Sequence, residues 1–270
     1  MFGAVFGDII GSYYEFYPTK DYHFSLHPAS SFTDDSLMTA AVCRAILNND
    51  DDINSFGLKK RAYEYAVQYK RYYSLCPTAG FGQMFSAWAS SKEMYRQNSY
   101  ANGGAMRAVP IGYAYHTLEQ VMLQAKASCL YTHDHPDAIK GAQAVAVAVF
   151  LARSGESKAS IKEYLSKKFR YALDRTIDEI RPHYQFDCKA SYSVPPAIIA
   201  FLESEDYESA VRNAVSLGGD ADTMACIAGG IAEAYYHEIP QSIASFCRSR
   251  IDSAIYSTVK EFEQKYQVQA

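Results

Sequence analysis

From Asp35 to Asn49 the chain reads DSLMTAAVCRAILNN, which places Leu37, Ala40, Ala41 and Ile46 on one face at helical spacing. KKRAYEYAVQYKRYYSL sets Tyr65, Tyr69, Tyr72 and Tyr73 on a common stripe, an arrangement commoner in a core than in a ligand site. HPDAIKGAQAVAVAVFLARSG opens on His-Pro and stops at Gly155, a start and a stop signal. Its AVAVAV run alternates as a strand would. Its Ala-rich composition and its length of about 18 residues favour a buried helix instead. The same patterning predicts helices over 157–176, 194–204, 206–217 and 222–237, and a helical region over 240–266. Pro195, Pro196 and Pro240 are expected near helix starts, where a missing N–H is harmless. There is no repeat, low-complexity run or Gly/Ser linker. The expectation is an all-α fold: a compact helical bundle forming a single domain over 1–270.

Composition narrows the class without naming a chemistry. Apolar residues make up 49% and charged residues 21%, ordinary values for a globular protein. A net charge of −4 gives no footprint for nucleic acid or an anionic membrane. No apolar run is long enough to span a bilayer, and MFGAVFGDII lacks the basic region of a signal peptide. Six cysteines lie scattered with no CxxC pair, which predicts buried, reduced thiols and a cytoplasmic protein.

The irregular stretches are rich in Gly and Asn: PTAGFG (77–82), SYANGGAMRAVPIG (99–112), YTHDHP (131–136) and SLGGDADT (216–223). In a helical bundle such loops are where ligands meet backbone amides. Two of the acid-bearing helix starts share one chemistry. Thr33, Asp34 and Asp35 precede an apolar helix, and alone they read equally well as a capping threonine with acidic first-turn residues. Asp220, Asp222 and Thr223 then repeat the pattern far along the chain, behind two glycines. Together the two helix starts offer six hard oxygen ligands without Cys or His, a set suited to Mg²⁺, Mn²⁺ or Ca²⁺ rather than Zn²⁺. Four carboxylates in one place repel one another unless about two divalent ions neutralise them, and Asp222 is placed to bridge both.

Five motifs in order resemble the ADP-ribosylglycohydrolase family, the relatives of dinitrogenase-reductase-activating glycohydrolase. GAVFGDIIGSYYE, with Gly3, Gly7, Asp8, Gly11 and Glu15, is similar to the family's opening motif. FTDDS resembles its first metal motif, NGGAMR its substrate loop, THDHP its histidine motif and LGGDADT its second metal motif. The resemblance implies an all-α fold holding two Mg²⁺ ions, or Mn²⁺, at the base of an ADP-ribose cleft. It implies Thr33, Asp34, Asp35, Asp220, Asp222 and Thr223 as metal ligands. Glu15 matches an acid beside the metals that activates water or contacts the ribose, and Asp8 reads as a capping or supporting residue. Asn102, Gly103, Gly104 and Met106 match the substrate loop, and His133 matches a histidine near the ribose. Arg107 reads either as a diphosphate clamp or as a buried ion-pair partner. His135 reads as a helix-start residue, and Tyr192 is a candidate for stacking on adenine. Ser36 stands where the family usually has Thr, and Ala101 where Gly is common.

The implied reaction is hydrolysis of the glycosidic bond between ADP-ribose and an acceptor, a protein side chain or a small molecule, through an oxocarbenium-like transition state. Glu15 or Asp34 is the expected general base. An arginine leaving group calls for a carboxylate near it, and YRQNSYA before the substrate loop offers none, the nearest upstream acid being Glu93. Strict arginine specificity is therefore disfavoured against serine-linked, other O-linked or small-molecule conjugates. The rival expectation is a non-catalytic ADP-ribose-binding or structural relative, which would have lost acidic ligands that this chain keeps. No nucleic-acid or membrane partner is expected, and a monomer is favoured.

Overall fold

The computed structural model describes residues 1–266 of the chain. Among these residues are fourteen α-helices and no β-strand. In chain order they are α1 (Phe2–Phe16), α2 (Asp34–Asn48), α3 (Leu58–Tyr73), α4 (Gln83–Ser90), α5 (Val109–Ala114), α6 (Leu118–Cys129), α7 (Pro136–Arg153), α8 (Lys158–Phe169), α9 (Ile177–Ile180), α10 (Ala190–Leu202), α11 (Tyr207–Val215), α12 (Ala221–Tyr236), α13 (Gln241–Arg248) and α14 (Ser253–Tyr266). The all-α expectation holds, and AVAVAV is helical within α7.

Helices α1 and α12 form the centre. Phe2–Ser12 of α1 and Ala221–Ala234 of α12 are buried without a break, as helices without a polar face must be. Gly3, Gly7 and Gly11 recur every four residues on α1 and face the α12 backbone. A Cβ at Gly7 would stand 2.1 Å from the Ala225 carbonyl oxygen, and one at Gly11 would stand 2.4 Å from that of Ala221. The missing side chains let two helix backbones touch, which carries the polar residues of α1 up against the start of α12.

Several boundaries differ from the sequence pattern. The N-terminal stretch is one helix, so Asp8 sits inside α1 and Glu15 in its last turn. The pattern does not predict α4, α5, α6 or α9, whose short or weakly periodic sequences are held by packing. Helix α8 stops at Arg170, which takes the left-handed conformation (φ 54°, ψ 39°), so 171–176 is not helical. Helix α10 begins at Ala190, which puts Pro195 and Pro196 inside it rather than at its start. The carbonyls that lose their helical donors belong to exposed Ser191 and Tyr192, where water can replace them. The 240–266 region is two helices, the second opened by Asp252, whose carboxylate accepts the Ala254 N–H at 2.8 Å. All six cysteines are free. Four are buried as expected, Cys76 is half-buried, and Cys188 is exposed.

Candidate active site

The N-terminal ends of α2 and α12 and the last turn of α1 converge on one cleft of about 480 Å³, within the usual size of a ligand pocket. One carboxylate oxygen each from Glu15, Asp220 and Asp222 lie within 4.8 Å of one another. Asp34 and Asp35 line the same cleft, as does Thr223. Thr223 donates from Oγ1 to Asp35 Oδ2 at 3.3 Å, which joins the two acidic motifs directly. The two distant helix starts are therefore brought together, with Glu15 among them.

Asp8 explains why α2 starts where it does. It is fully buried on α1 and accepts from the Thr33 N–H at 3.0 Å and the Ser36 N–H at 3.1 Å. It also accepts from Thr33 Oγ1 at 2.7 Å and from Ser36 Oγ. These are first-turn donors of α2 that no intrahelical carbonyl can reach, and a carboxylate there also meets the positive end of the helix. Asp8 thus caps α2 from another helix. Thr33 does not line the cleft wall; its hydroxyl donates to Asp8 and accepts from the Asp35 N–H at 3.3 Å, leaving one lone pair for a further partner.

None of Glu15, Asp34, Asp35, Asp220 and Asp222 makes an ion pair among the described residues. Burial, then the neighbouring carboxylates, holds Asp34, Asp35 and Asp222 well above the usual carboxylate range. Burial and the charges of Asp220 and Asp8 push Glu15 up to about 7, and burial pushes Asp8 up to about 6 against four hydrogen bonds. Asp35 Oδ1 is buried with no hydrogen-bond partner. Five carboxylates, one of them with an orphaned oxygen and none with a protein cation, fit hard divalent cations.

Raised carboxylate pKa values mean that the folded metal-free protein binds more protons than the unfolded chain between about pH 4 and 7. That stabilisation is present at low pH and is lost as pH rises through about 6 to 7. In EDTA the melting temperature is therefore expected to fall between pH 5 and pH 8. Mg²⁺ is expected to raise it more at pH 8 than at pH 5. A hundredfold excess over Kd is worth about 2.7 kcal/mol, roughly 5–10 °C at this chain length. Scanning calorimetry reads both effects, and an equal Mg²⁺ response at the two pH values would contradict the electrostatic account.

The glycine-rich loop around Asn102 lines the same cleft as these acids. Asn102–Gly104 form a 3-10 turn, pinned where the Asn102 N–H donates to the Cys188 carbonyl at 2.8 Å. The Asn102 amide donates to Asp220 Oδ2 at 2.8 Å and to Ser193 Oγ at 3.1 Å, so the loop and the second acidic motif are one unit. The N–H groups of Gly103 and Gly104 begin the turn and have no acceptor within it. Gly103 faces His133, where a Cβ would stand 2.8 Å from Nε2, and Gly104 faces Cys129. Met106 is buried in the cleft floor with Sδ 3.9 Å from Thr223 Oγ1.

Behind His133 a hydrogen-bond chain fixes its tautomer. Arg107 donates from Nη2 to Thr132 Oγ1 at 2.6 Å, and Thr132 Oγ1 lies 2.8 Å from His133 Nδ1. Arginine only donates, and the threonine proton has no other acceptor among the described residues, so it goes to Nδ1. The imidazole proton then sits on Nε2, facing the loop. Burial, with the Arg107 charge, holds His133 well below its usual pKa, so the ring stays neutral and offers Nε2–H as a donor. Arg107 is fully buried with its guanidinium 3.9 Å from the Tyr69 ring centroid and has no acidic partner, which overturns the ion-pair reading. It lines the cleft, where its Nε and Nη1 are unpaired.

His135 caps α7 as expected, accepting the Asp137 N–H at Nδ1. Tyr192 is not brought to this cleft. It stacks on Tyr184 at 4.9 Å and faces a different cavity, because α10 begins earlier than its prolines suggest. The cleft wall instead includes Phe81, from the PTAGFG loop, with Met84, Phe85 and Phe186, which the sequence does not single out. The Gly-flanked Phe81 was the one available signal, since aromatic residues are common along the whole chain.

The sequence model of the ADP-ribosylglycohydrolase family matches residues 1–269. Human ADP-ribosylhydrolase ARH3 is 28% identical over an alignment covering 91% of this chain and 87% of that protein. A protein of Archaeoglobus fulgidus is 35% identical over 52% of this chain and 50% of its own length. A solved structure titled ADP-ribosylglycohydrolase-related protein complex superimposes with a TM-score of 0.73 at 20% identity, covering 99% of this chain and 95% of that one, a likeness of fold. With the family model matched from end to end and its acidic motifs meeting at one cleft, the chain belongs to the ADP-ribosylglycohydrolase family.

Proposed function

We propose that this chain is a divalent-cation-dependent hydrolase that releases ADP-ribose from an acceptor linked through its anomeric carbon. The observation that carries this reading is the set of five unneutralised carboxylates beneath a glycine-rich loop, three of them (Asp35, Asp220 and Asp222) buried and Glu15 and Asp34 half-buried. Asp34, Asp35, Asp220 and Asp222, with Thr33 and Thr223, would hold two Mg²⁺ or Mn²⁺ ions. Bound there, such ions supply Lewis acidity at the ribose and for the attacking water.

The chain's own groups account for the rest. The free N–H groups of Gly103 and Gly104 suit the diphosphate, and Asn102 Oδ1, its amide nitrogen already engaged, accepts from a sugar hydroxyl. His133 Nε2–H donates a hydrogen bond at the ribose without changing charge. Glu15, half-buried at the cleft, takes the proton of the attacking water at a carboxylate oxygen, with Asp34 as the second candidate. The apolar wall of Phe81, Met84 and Phe85 keeps bulk water from the oxocarbenium-like centre.

Among the described residues these five are the only acids lining the cleft. A guanidinium leaving group would have to share them with the cations, which supports an acceptor linked through oxygen over arginine. The test is release of free ADP-ribose from arginine-, serine-, cysteine- and nucleobase-linked conjugates, with Mg²⁺ and with EDTA. Metal-dependent release from an O-linked conjugate is expected. Release from arginine alone would overturn the linkage, and ADP-ribose binding without any release would favour a non-catalytic relative.

A further inference from the structure

A second cavity, of about 510 Å³, shares no lining residue with the catalytic cleft. Tyr184, Ser191 and Tyr192 line this cavity, whereas Phe186 and Cys188, between them in sequence, line the cleft. One segment therefore walls both.

The chemistry of the second cavity is one-sided. Lys140, Arg170 and Arg175 line it with His183 beside them, and among the described residues no Asp or Glu does. None of the four makes an ion pair among the described residues. Such a concentration of positive charge stands out on a chain whose net charge is −4. Arg170 holds its place in a left-handed backbone conformation that glycine would adopt without strain. Lys140 Nζ lies 4.5 Å from the ring centroid of Tyr171, and the Tyr171 hydroxyl is buried with no hydrogen-bond partner, an arrangement that an acceptor on a ligand would complete. Asp137, the acid one turn before Lys140 on α7, lies outside the lining.

The remaining walls are planar or carry backbone carbonyls, of which that of Tyr192 accepts from the Tyr184 hydroxyl at 3.5 Å. Tyr184 and Tyr192 stack at 4.9 Å with an interplanar angle of 18°, and Tyr171 adds a third ring. Pro195 and Pro196 lack N–H groups, which deprives the Ser191 and Tyr192 carbonyls of their i+4 helical donors. Cations for a phosphate, aromatic faces for a base and carbonyl oxygens without their helical donors for sugar hydroxyls occur together in one concave site.

We propose that this cavity is a second ligand site, selective for a nucleoside phosphate and separate from the cleft that cleaves ADP-ribose. It stands independently of the hydrolase reading, because its residues lie outside the cleft.

The test is calorimetric titration of the full chain with ADP, with inorganic phosphate and with adenosine. It uses the double variant Lys140→Gln/Arg170→Gly and, for the cleft, Asn102→Ala. Arg170→Gly suits the left-handed backbone, so a retained melting temperature will certify the fold. ADP binding that survives Asn102→Ala and weakens at least about tenfold in the double variant is the expected result, tenfold being what one lost charge-assisted contact commonly costs. ADP binding abolished by Asn102→Ala and untouched by the double variant would overturn the proposal, as would no ADP binding at all. Inorganic phosphate binding as tightly as ADP would overturn the nucleoside assignment, and so would adenosine alone doing so for the phosphate.

Discussion

Asp222→Asn is expected to lower ADP-ribose release on the order of a thousandfold while leaving the metal-free protein at least as stable as the parent. A loss of that size corresponds to about 4 kcal/mol of barrier, the scale of one removed charge stabiliser in a preorganised site. The residue is buried and its oxygens lie with those of Glu15 and Asp220. Its pKa is raised first by burial, then by the charges of Asp35, Asp220 and Glu15, so in the absence of cations the carboxylate destabilises the fold at neutral pH. An amide of the same shape removes that repulsion and keeps an oxygen for the Thr223 N–H, which Asp222 Oδ1 accepts at 2.8 Å. Release assays give the first half of the prediction, and calorimetry in EDTA gives the second. An Asp222→Asn protein that retains full activity would sink the two-metal reading. An inactive protein with a collapsed melting temperature would instead assign Asp222 a structural role.

What the sequence makes legible follows from locality. FTDDS and GGDADT are each short, each at a helix start, and their chemistry can be read from neighbouring residues; only their meeting, through Thr223 and Asp35, is tertiary. The Ala-rich stretch of α7 is legible because composition and length outweigh its alternation. Helix α1 is not, because GAVFGDIIGSYYE has no polar face to give it a period, and its helicity is fixed by lying on α12. Asp8 is legible as a capping or supporting residue, but not the helix it caps, since the donors it serves begin at Thr33, one loop away. The fate of Arg107 depends on what surrounds a buried guanidinium, which turned out to be Tyr69 and Thr132 rather than an acid. Tyr192 was misplaced by its own neighbours. Pro195 and Pro196 read as a helix start, yet the helix begins five residues before the first of them and turns the tyrosine to another cavity.

Gly7→Ala is expected to lower stability by about 3 kcal/mol, the upper part of the range for overpacking a core, and to lower the melting temperature by roughly 6–12 °C. Alanine favours an exposed helix over glycine by about 1 kcal/mol, so propensity alone predicts the opposite sign. The deciding term is the 2.1 Å between the new Cβ and the Ala225 carbonyl oxygen, with the Cys226 nitrogen at 2.9 Å. These are backbone atoms, which no side-chain rotation can move aside, so the two helices must separate. Separation also carries Asp8 and Glu15 away from α2 and α12. A shift of about 1 Å in such a site can cost a hundredfold in rate, so activity is expected to fall in the fraction that remains folded. Gly82→Ala is the control for stability: nothing lies within 4 Å of a Cβ there, and the change is expected within about 0.5 kcal/mol of zero. If Gly7→Ala melts with the parent and keeps its activity, α1 and α12 are not held by backbone contact, and the route by which α1 delivers Glu15 to the acidic cluster would have to be rebuilt.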